Sequence, residues 1–407
     1  MSDPATLKRS LSLPLITFYG LGTILGAGIY VLIGEVVGHA GMYAPISFLI
    51  ASLLATFSAC SYAELSARFP LSAGESIYVQ QAFGYRSLSR LVGLAIVVIG
   101  MVSTATLVNG FVGYFRIFID LPGWLIIVTL ILLLGTLAVW GITQSAWAAM
   151  LTSWIELGGL LLVIAVGGDS LLTLPARLPE MIPDFSLLLW PGIFAGAFVA
   201  FYAFIGFEDM VNVAEEVKNP THNLPLAVLL ALVISTLLYM VIAVVTVLVV
   251  PPTDMAGNEA PLALVYERST GREPIFISLI GMSAVINGAL IQIIMASRVL
   301  YGMASQGWLP KVLAEVHPKT RTPLKATAGI ISVVLVLALW LPLLTLAQIT
   351  SLITLLVFAM VNLSLWRVKG KMPQPENVPN FPRWLPMSGF LASLLFVLLQ
   401  IGQWVSN

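Results

Sequence analysis

Charge is scarce in this chain: 19 Lys plus Arg and 19 Asp plus Glu among 407 residues, 9% against about 25% in an ordinary soluble protein. That shortage excludes a conventional water-soluble globule, whose surface needs far more ionised groups than this. The two signs cancel, so net charge gives no reason to expect a nucleic-acid or acidic partner. Cysteine is nearly absent as well. The single Cys60 excludes an internal disulfide framework and any multi-cysteine metal site. Histidine is limited to His39, His222 and His317, which fall in or near loops without metal-ligand spacing or an adjacent nucleophile. No catalytic residue, metal or cofactor is expected, and no enzyme. What the chain has in abundance is apolar surface. Hydrophobic residues make up 59% and the mean hydropathy is +0.99, so much of the exterior must face lipid.

A helix crossing a bilayer needs ~20 apolar residues at ~1.5 Å rise each. Such runs occupy about eleven positions: 13–37, 43–67, 91–113, 122–142, 145–167, 188–213, 224–250, 274–304, 324–344, 346–366 and 385–405. Pro342 separates the ninth and tenth, since one helix across both would be far too long for a bilayer. The stretch after Lys8 and Arg9 is too long for a signal peptide and lacks a small-residue cleavage site, so it reads as a retained first span. Placing the N-terminus inside gives fifteen basic residues to the inner side and four, Arg116, Arg177, Arg268 and Arg272, to the outer side. This is the expected bias. An odd span count then puts Asn407 outside, in a cytoplasmic (inner) membrane.

Spans 1 to 5 (13–167) and 6 to 10 (188–366) read as two five-helix units, which five crossings each place in opposite orientations; 385–405 is an additional peripheral helix. The first span of each unit should be discontinuous. Span 1 carries Gly20, Gly22, Gly26, Gly28 and Gly34, and the middle of span 6 reads Ala203, Phe204, Ile205, Gly206, Phe207, Glu208, Asp209. Unwinding a helix at mid-membrane frees backbone N–H and C=O groups, and the half-helix ends carry partial charges able to hold the two charges of a zwitterion. Glycine lowers the cost of that conformation. Gly22 to Gly26 equally reads as a GxxxG helix-packing surface.

Four ordered segments resemble one family: GLGTILGAGIYVLIG at 20–34, YAELSARFPLSAGESIYVQQAFG at 62–84, AEEVKNPTHNLP at 214–225 and SRVLYGMASQGWLP at 297–310. Together they resemble the amino acid, polyamine and organocation transporters. The resemblance implies an all-α, LeuT-like fold with a 5+5 inverted repeat and broken helices 1 and 6. It further implies alternating access and amino acids or related amines as substrates. Carried over by position, it places backbone N–H groups of Thr23, Gly26, Ala27 and Gly28 on the substrate carboxylate. Carbonyls of Tyr202, Ala203 and Ile205 would meet its amino group, with Gly206 permitting the break. Phe204, Phe207 and Tyr202 are candidate aromatic gates, although packing is the commoner role for such residues.

Glu208 follows the break directly, and a carboxylate at membrane depth costs ~2.5–3.5 kcal/mol, so it should face a cavity or partner. Glu64 and Arg68, four apart, should form an intrahelical pair. Glu156 in span 5 stands where many members of the resembled family carry a lysine between the first and eighth helices. A reversed charge there should bind a cation or take up a proton and donate toward span 1 carbonyls, with Asn287 of span 8 beside it. The expected function is secondary transport of amino acids, with proton coupling expected and sodium the alternative. Neutral substrates are favoured because span 3 has no acid, Ile99 standing where cationic-substrate relatives have glutamate. Polyamine or organic-amine transport is the alternative, on the strength of Glu156, Glu208 and Asp209. A non-transporting receptor is a further one. Partners are the small-molecule substrate, the ion and the bilayer; oligomeric state is not legible.

Overall fold

The computed structural model describes residues 9–71, 74–140, 146–184, 188–305, 307–317, 320, 322–372 and 378–406. Lys8, Lys319, Arg321 and Asn407, used above for orientation, lie outside the described residues. With no water in the hydrocarbon layer to satisfy backbone groups, the apolar runs have only the helix available to them, and the described residues contain no β-strand. Among the described residues eight helices are long and apolar enough to cross a membrane, and three shorter apolar helices, Leu13–Leu25, Gly123–Val139 and Leu324–Trp340, accompany them. The protein is an all-α multi-pass membrane protein.

Span 1 is split into Leu13–Leu25 and Ala27–Ala40, and span 6 into Trp190–Tyr202 and a 3-10 stretch Phe207–Glu216. The others are span 2 (Ala44–Arg68), span 3 (Arg86–Arg116), span 4 (Gly123–Trp140), span 5 (Ala146–Gly167), span 7 (Pro220–Val249), span 8 (Ile275–Ser305), span 9 (Leu324–Trp340), span 10 (Leu343–Lys371) and span 11 (Trp384–Ser406). Prolines mark several starts, including Pro14, Pro45 and Pro191, because the first turn has no use for the missing N–H. Spans 9 and 10 are parted by extended backbone at Leu341 and Pro342. Helices 3 and 10 run past their expected ends by several residues, through polar turns that hydropathy alone does not count. The loop between spans 2 and 3 holds a helix of its own, Gly74–Phe83, with Gly74 and Glu75 buried.

Packing follows a pattern. Span 1 lies on spans 5 and 7, and span 6 on spans 10 and 2; span 3 meets span 10 as span 8 meets span 5; span 4 meets span 8 as span 9 meets span 3. Spans 2 and 7, 3 and 8, and 4 and 9 pack on each other. Span 11 lies against spans 10 and 2. Between spans 2 and 10, Asn362 Nδ2 donates to Ser58 Oγ at 3.0 Å and Ser61 Oγ donates to Asn362 Oδ1 at 2.6 Å. Such polar contacts join helices that gain little from apolar burial in lipid.

Candidate functional site

The first break is a single residue, Gly26, with φ −39° and ψ −160°, after which Ala27–Ala40 begins with uncapped N–H groups. The second follows Tyr202 through a turn to Gly206, whose φ of +131° is a region L side chains rarely adopt. Glu208 Oε2 accepts the Gly206 N–H at 2.8 Å, so the acid caps the helix that starts after the break. The two breaks touch each other. Thr23 Oγ1 lies 2.9 Å from both Gly206 O and Gly20 O, sharing its proton between them. A Cβ on Gly28 would sit 2.9 Å from the Ala203 Cα, and one on Gly206 would sit 2.6 Å from the Thr23 carbonyl carbon. Glycine at both positions is therefore a requirement of contact.

Tyr239 of span 7, which the sequence analysis did not single out, joins both breaks: its hydroxyl is 2.7 Å from Ile24 O and 3.0 Å from Ala203 O. A lone tyrosine in an apolar span was the available signal. Of the carbonyls expected to face a substrate amino group, Ala203 O thus accepts from Tyr239, and Tyr202 O accepts the Ile205 N–H at 3.1 Å. The Tyr202 hydroxyl is 2.8 Å from Ser103 Oγ of span 3. Phe204 packs edge-on to Tyr239 with centroids 5.1 Å apart, and Phe207 packs on Tyr62 and Phe358 at 5.6 and 5.2 Å. In this conformation Phe204 and Phe207, two of the three candidate gates, are interior aromatic packing.

Glu156 is 1% exposed. Asn287 Nδ2 donates to its Oε1 at 3.1 Å, while Oε2 has no hydrogen-bond partner among the described residues. The expected bond from its carboxyl to a span 1 carbonyl is not made. Ser153, one turn earlier, donates instead to Phe18 O at 2.9 Å, and the Tyr30 hydroxyl donates to the Glu156 backbone O at 2.6 Å. The three-residue offset along span 5 sets the carboxyl against span 8 and the second half of span 1.

Beneath the second break lies a cavity of about 20 Å³. Its wall includes Ile99, Glu75, Glu208, Asp209, Gln292 and Thr354. The acid absent from span 3 is thus supplied around Ile99 by other elements. Glu75, outside the spans, was missed because it reads as a loop acid. Tyr62 donates to its Oε1 at 3.3 Å. Burial pushes the Glu75 carboxyl up to about 7, against the smaller stabilising effects of its backbone hydrogen bond and of Tyr62.

The face bearing the start of span 1 is tied shut. Ser10 and Leu11 donate their N–H groups to Glu216 O at 2.9 and 3.0 Å, and the Lys218 N–H returns to Leu11 O at 2.8 Å. Nearby, Glu64 accepts from Arg68 as the four-residue spacing implies, at 2.8 Å. It also accepts from Lys369 Nζ at 2.5 and 2.7 Å and from the Phe381 N–H at 2.9 Å.

A family model described as amino acid permease matches residues 11–406. The chain is 29% identical over 439 residues to a branched-chain amino acid permease of Bacillus subtilis (strain 168), covering 100% of this chain and 90% of that one. It is 30% identical over 381 residues to the vacuolar cationic amino acid transporter 4 of Arabidopsis thaliana, covering 88% of this chain and 63% of that one, so it spans under two thirds of the plant protein's length. A methylthioribose transporter of the same Bacillus is 26% identical over 399 residues, with 92% and 84% covered. These relatives are transporters, not enzymes.

Proposed function

The chain belongs to the amino acid permease family, and from that premise we propose that it carries amino acids across the cytoplasmic membrane by alternating access, with the N-terminus inside and the C-terminus outside. The observation that carries this reading is the contact between the breaks at Gly26 and Gly206, bridged by Thr23 and Tyr239. The substrate carboxylate takes the free N–H groups at Ala27 and Gly28, and its ammonium displaces Tyr239 from Ala203 O. Both require the breaks to part. The main-chain tie between Ser10–Leu11 and Glu216–Lys218 then acts as the inner closure. The helix contacts that recur when each span is exchanged with the one five later support an inverted repeat of 13–167 and 188–366, with span 11 added outside it.

Glu156 and Asn287 are the coupling pair in this reading. A neutral carboxyl and an ionised one differ in what they can donate to Asn287 and the surrounding backbone, so each favours a different conformation. Sodium held between the two is the competing account. Neutral substrates remain the first reading, on the apolar part of the cavity wall; an amine substrate is favoured by its three carboxylates. Uptake into proteoliposomes under imposed proton or sodium gradients tests the whole. Wild-type flux should follow the pH gradient, and Glu156→Gln should lose that dependence. Flux indifferent to pH, or a Gln variant with full pH dependence, would sink proton coupling; no uptake of any amino acid would sink the transport reading.

A further inference from the structure

Three carboxylates share the cavity below the second break without a basic partner. Glu75 comes from the helix Gly74–Phe83, and Glu208 and Asp209 from the second half of span 6. Among the described residues, the salt bridges lie elsewhere. Arg68 and Lys369 are engaged on Glu64, Arg90 over Trp308 and Arg367 over Phe83, while Arg298 of span 8 is exposed and takes part in none of the salt bridges among the described residues. Negative charge in a low-dielectric site is either neutralised by a proton or balanced by a cation.

Three further facts concern hydrogen bonds. Glu75 Oε2, Gln292 Oε1 and Thr354 Oγ1 all belong to residues lining this cavity, and none has a hydrogen-bond partner among the described residues. Glu75 is 3% exposed and Thr354 1%. Gln292 Nε2 donates one of its two N–H groups to Asp209 Oδ2, at 3.5 Å, and its Oε1 can only accept. The wall therefore presents three unsatisfied oxygen atoms that can accept.

A ligand suited to this wall donates several hydrogen bonds, gains from positive charge beside the carboxylates and is small. A directly coordinated metal ion does not fit, since among the described residues no group of three or more His, Cys, Asp or Glu side chains is placed to hold one. A neutral water brings two donors and no charge. A primary ammonium group brings three N–H donors, a single positive charge and a radius close to that of water.

We propose that this cavity is a binding site for a primary ammonium group, with Glu75 Oε2, Gln292 Oε1 and Thr354 Oγ1 accepting its N–H bonds and Glu208 and Asp209 balancing its charge. The group has two sources, a small free ammonium ion or the amine end of a larger substrate held at the breaks. In the first case the site stands by itself. In the second it rests on the transport reading above.

The test is thermal unfolding of the purified full chain titrated at pH 8 with methylammonium chloride, tetramethylammonium chloride or KCl at equal ionic strength. 1,4-Diaminobutane and a lysine–norleucine pair form the substrate arm. Methylammonium should raise the unfolding temperature saturably while the two controls do not. Glu75→Gln should weaken that response roughly tenfold or more, the scale of a lost charge-assisted hydrogen bond. Thr354→Val, which keeps every charge, should weaken it several-fold, and Glu267→Gln, an exposed acid elsewhere, should not. A Glu75-dependent response to diaminobutane or lysine alone assigns the group to the substrate. If no amine differs from KCl, or if Glu75→Gln and Thr354→Val both keep wild-type affinity, the site is refuted. Amino acid uptake by the wild type, measured separately, distinguishes that failure from failure of the transport reading.

Discussion

Replacing Gly206 by alanine should cost far more than the single methyl group it adds. At φ +131° an L residue is strained, a penalty of ~1–3 kcal/mol. The new Cβ would also lie 2.6 Å from the Thr23 carbonyl carbon and 3.0 Å from the Ile24 nitrogen. Those are backbone atoms of the other broken helix, which cannot rotate aside as a side chain can. Relief by small shifts adds ~1–3 kcal/mol, and moving Gly206 O off Thr23 Oγ1 forfeits a hydrogen bond worth ~0.5–1.5 kcal/mol. The sum, ~2.5–7.5 kcal/mol, is a large share of the ~5–15 kcal/mol by which folded proteins are stable. Gly329→Ala is the control. It lies inside span 9, a Cβ there meets nothing within 4 Å, and helix propensity alone makes alanine better by ~0.5–1 kcal/mol. Thermal unfolding in detergent, read beside amino acid affinity, compares the two. If both variants unfold together and bind alike, the breaks are not in the contact described, and the proposed site loses its foundation.

Glu64→Gln should destabilise by ~3–5 kcal/mol, because Arg68 and Lys369, 4% and 5% exposed, would be left as buried cations; Arg68→Met, which leaves Glu64 paired with Lys369, should cost clearly less in the same unfolding assay. Glu75 contributes a pH dependence of known sign. Its folded value of about 7 lies above the ordinary 4.5, so its share of stability is complete at acid pH and is lost as pH rises through 7, about 3 kcal/mol by linkage. Tyr62, Tyr78, Glu208 and Asp209 face it. Unfolding midpoints from pH 5 to 8 should fall in the wild type and flatten in Glu75→Gln; equal slopes in the two proteins would contradict the assignment.

Which features were legible in the sequence follows from how local their causes are. The break at Gly206 could be read because a glycine and two acids interrupt an apolar run, and the short connection at Pro342 because proline cannot continue a helix. Glu64 and Arg68 pair through helix spacing, but Lys369 and the Phe381 N–H reach the same carboxylate from roughly 300 residues away, which no periodicity encodes. Ile99 shows how far a local reading reaches. The absence of an acid from span 3 is plain in the sequence, but that Glu75 of the interspan helix lines the same cavity as Glu208 and Asp209 of span 6 is not. For Glu156 the pairing with Asn287 of span 8 could be placed from motif spacing, whereas nothing in the sequence marked Ser153, one turn earlier, as the residue that reaches the Phe18 carbonyl.

The tie between Ser10–Leu11 and Glu216–Lys218 is written entirely in peptide groups. Side chains at these four positions can drift in evolution without loosening it, so identity between relatives is a poor guide to whether they share it, and an alanine scan would pass over it in silence. Only a change to the main chain itself, such as proline at position 11, where an N–H is spent on Glu216 O, would reveal it. A mechanical element of the transporter can thus be invisible both to conservation and to the usual mutagenesis.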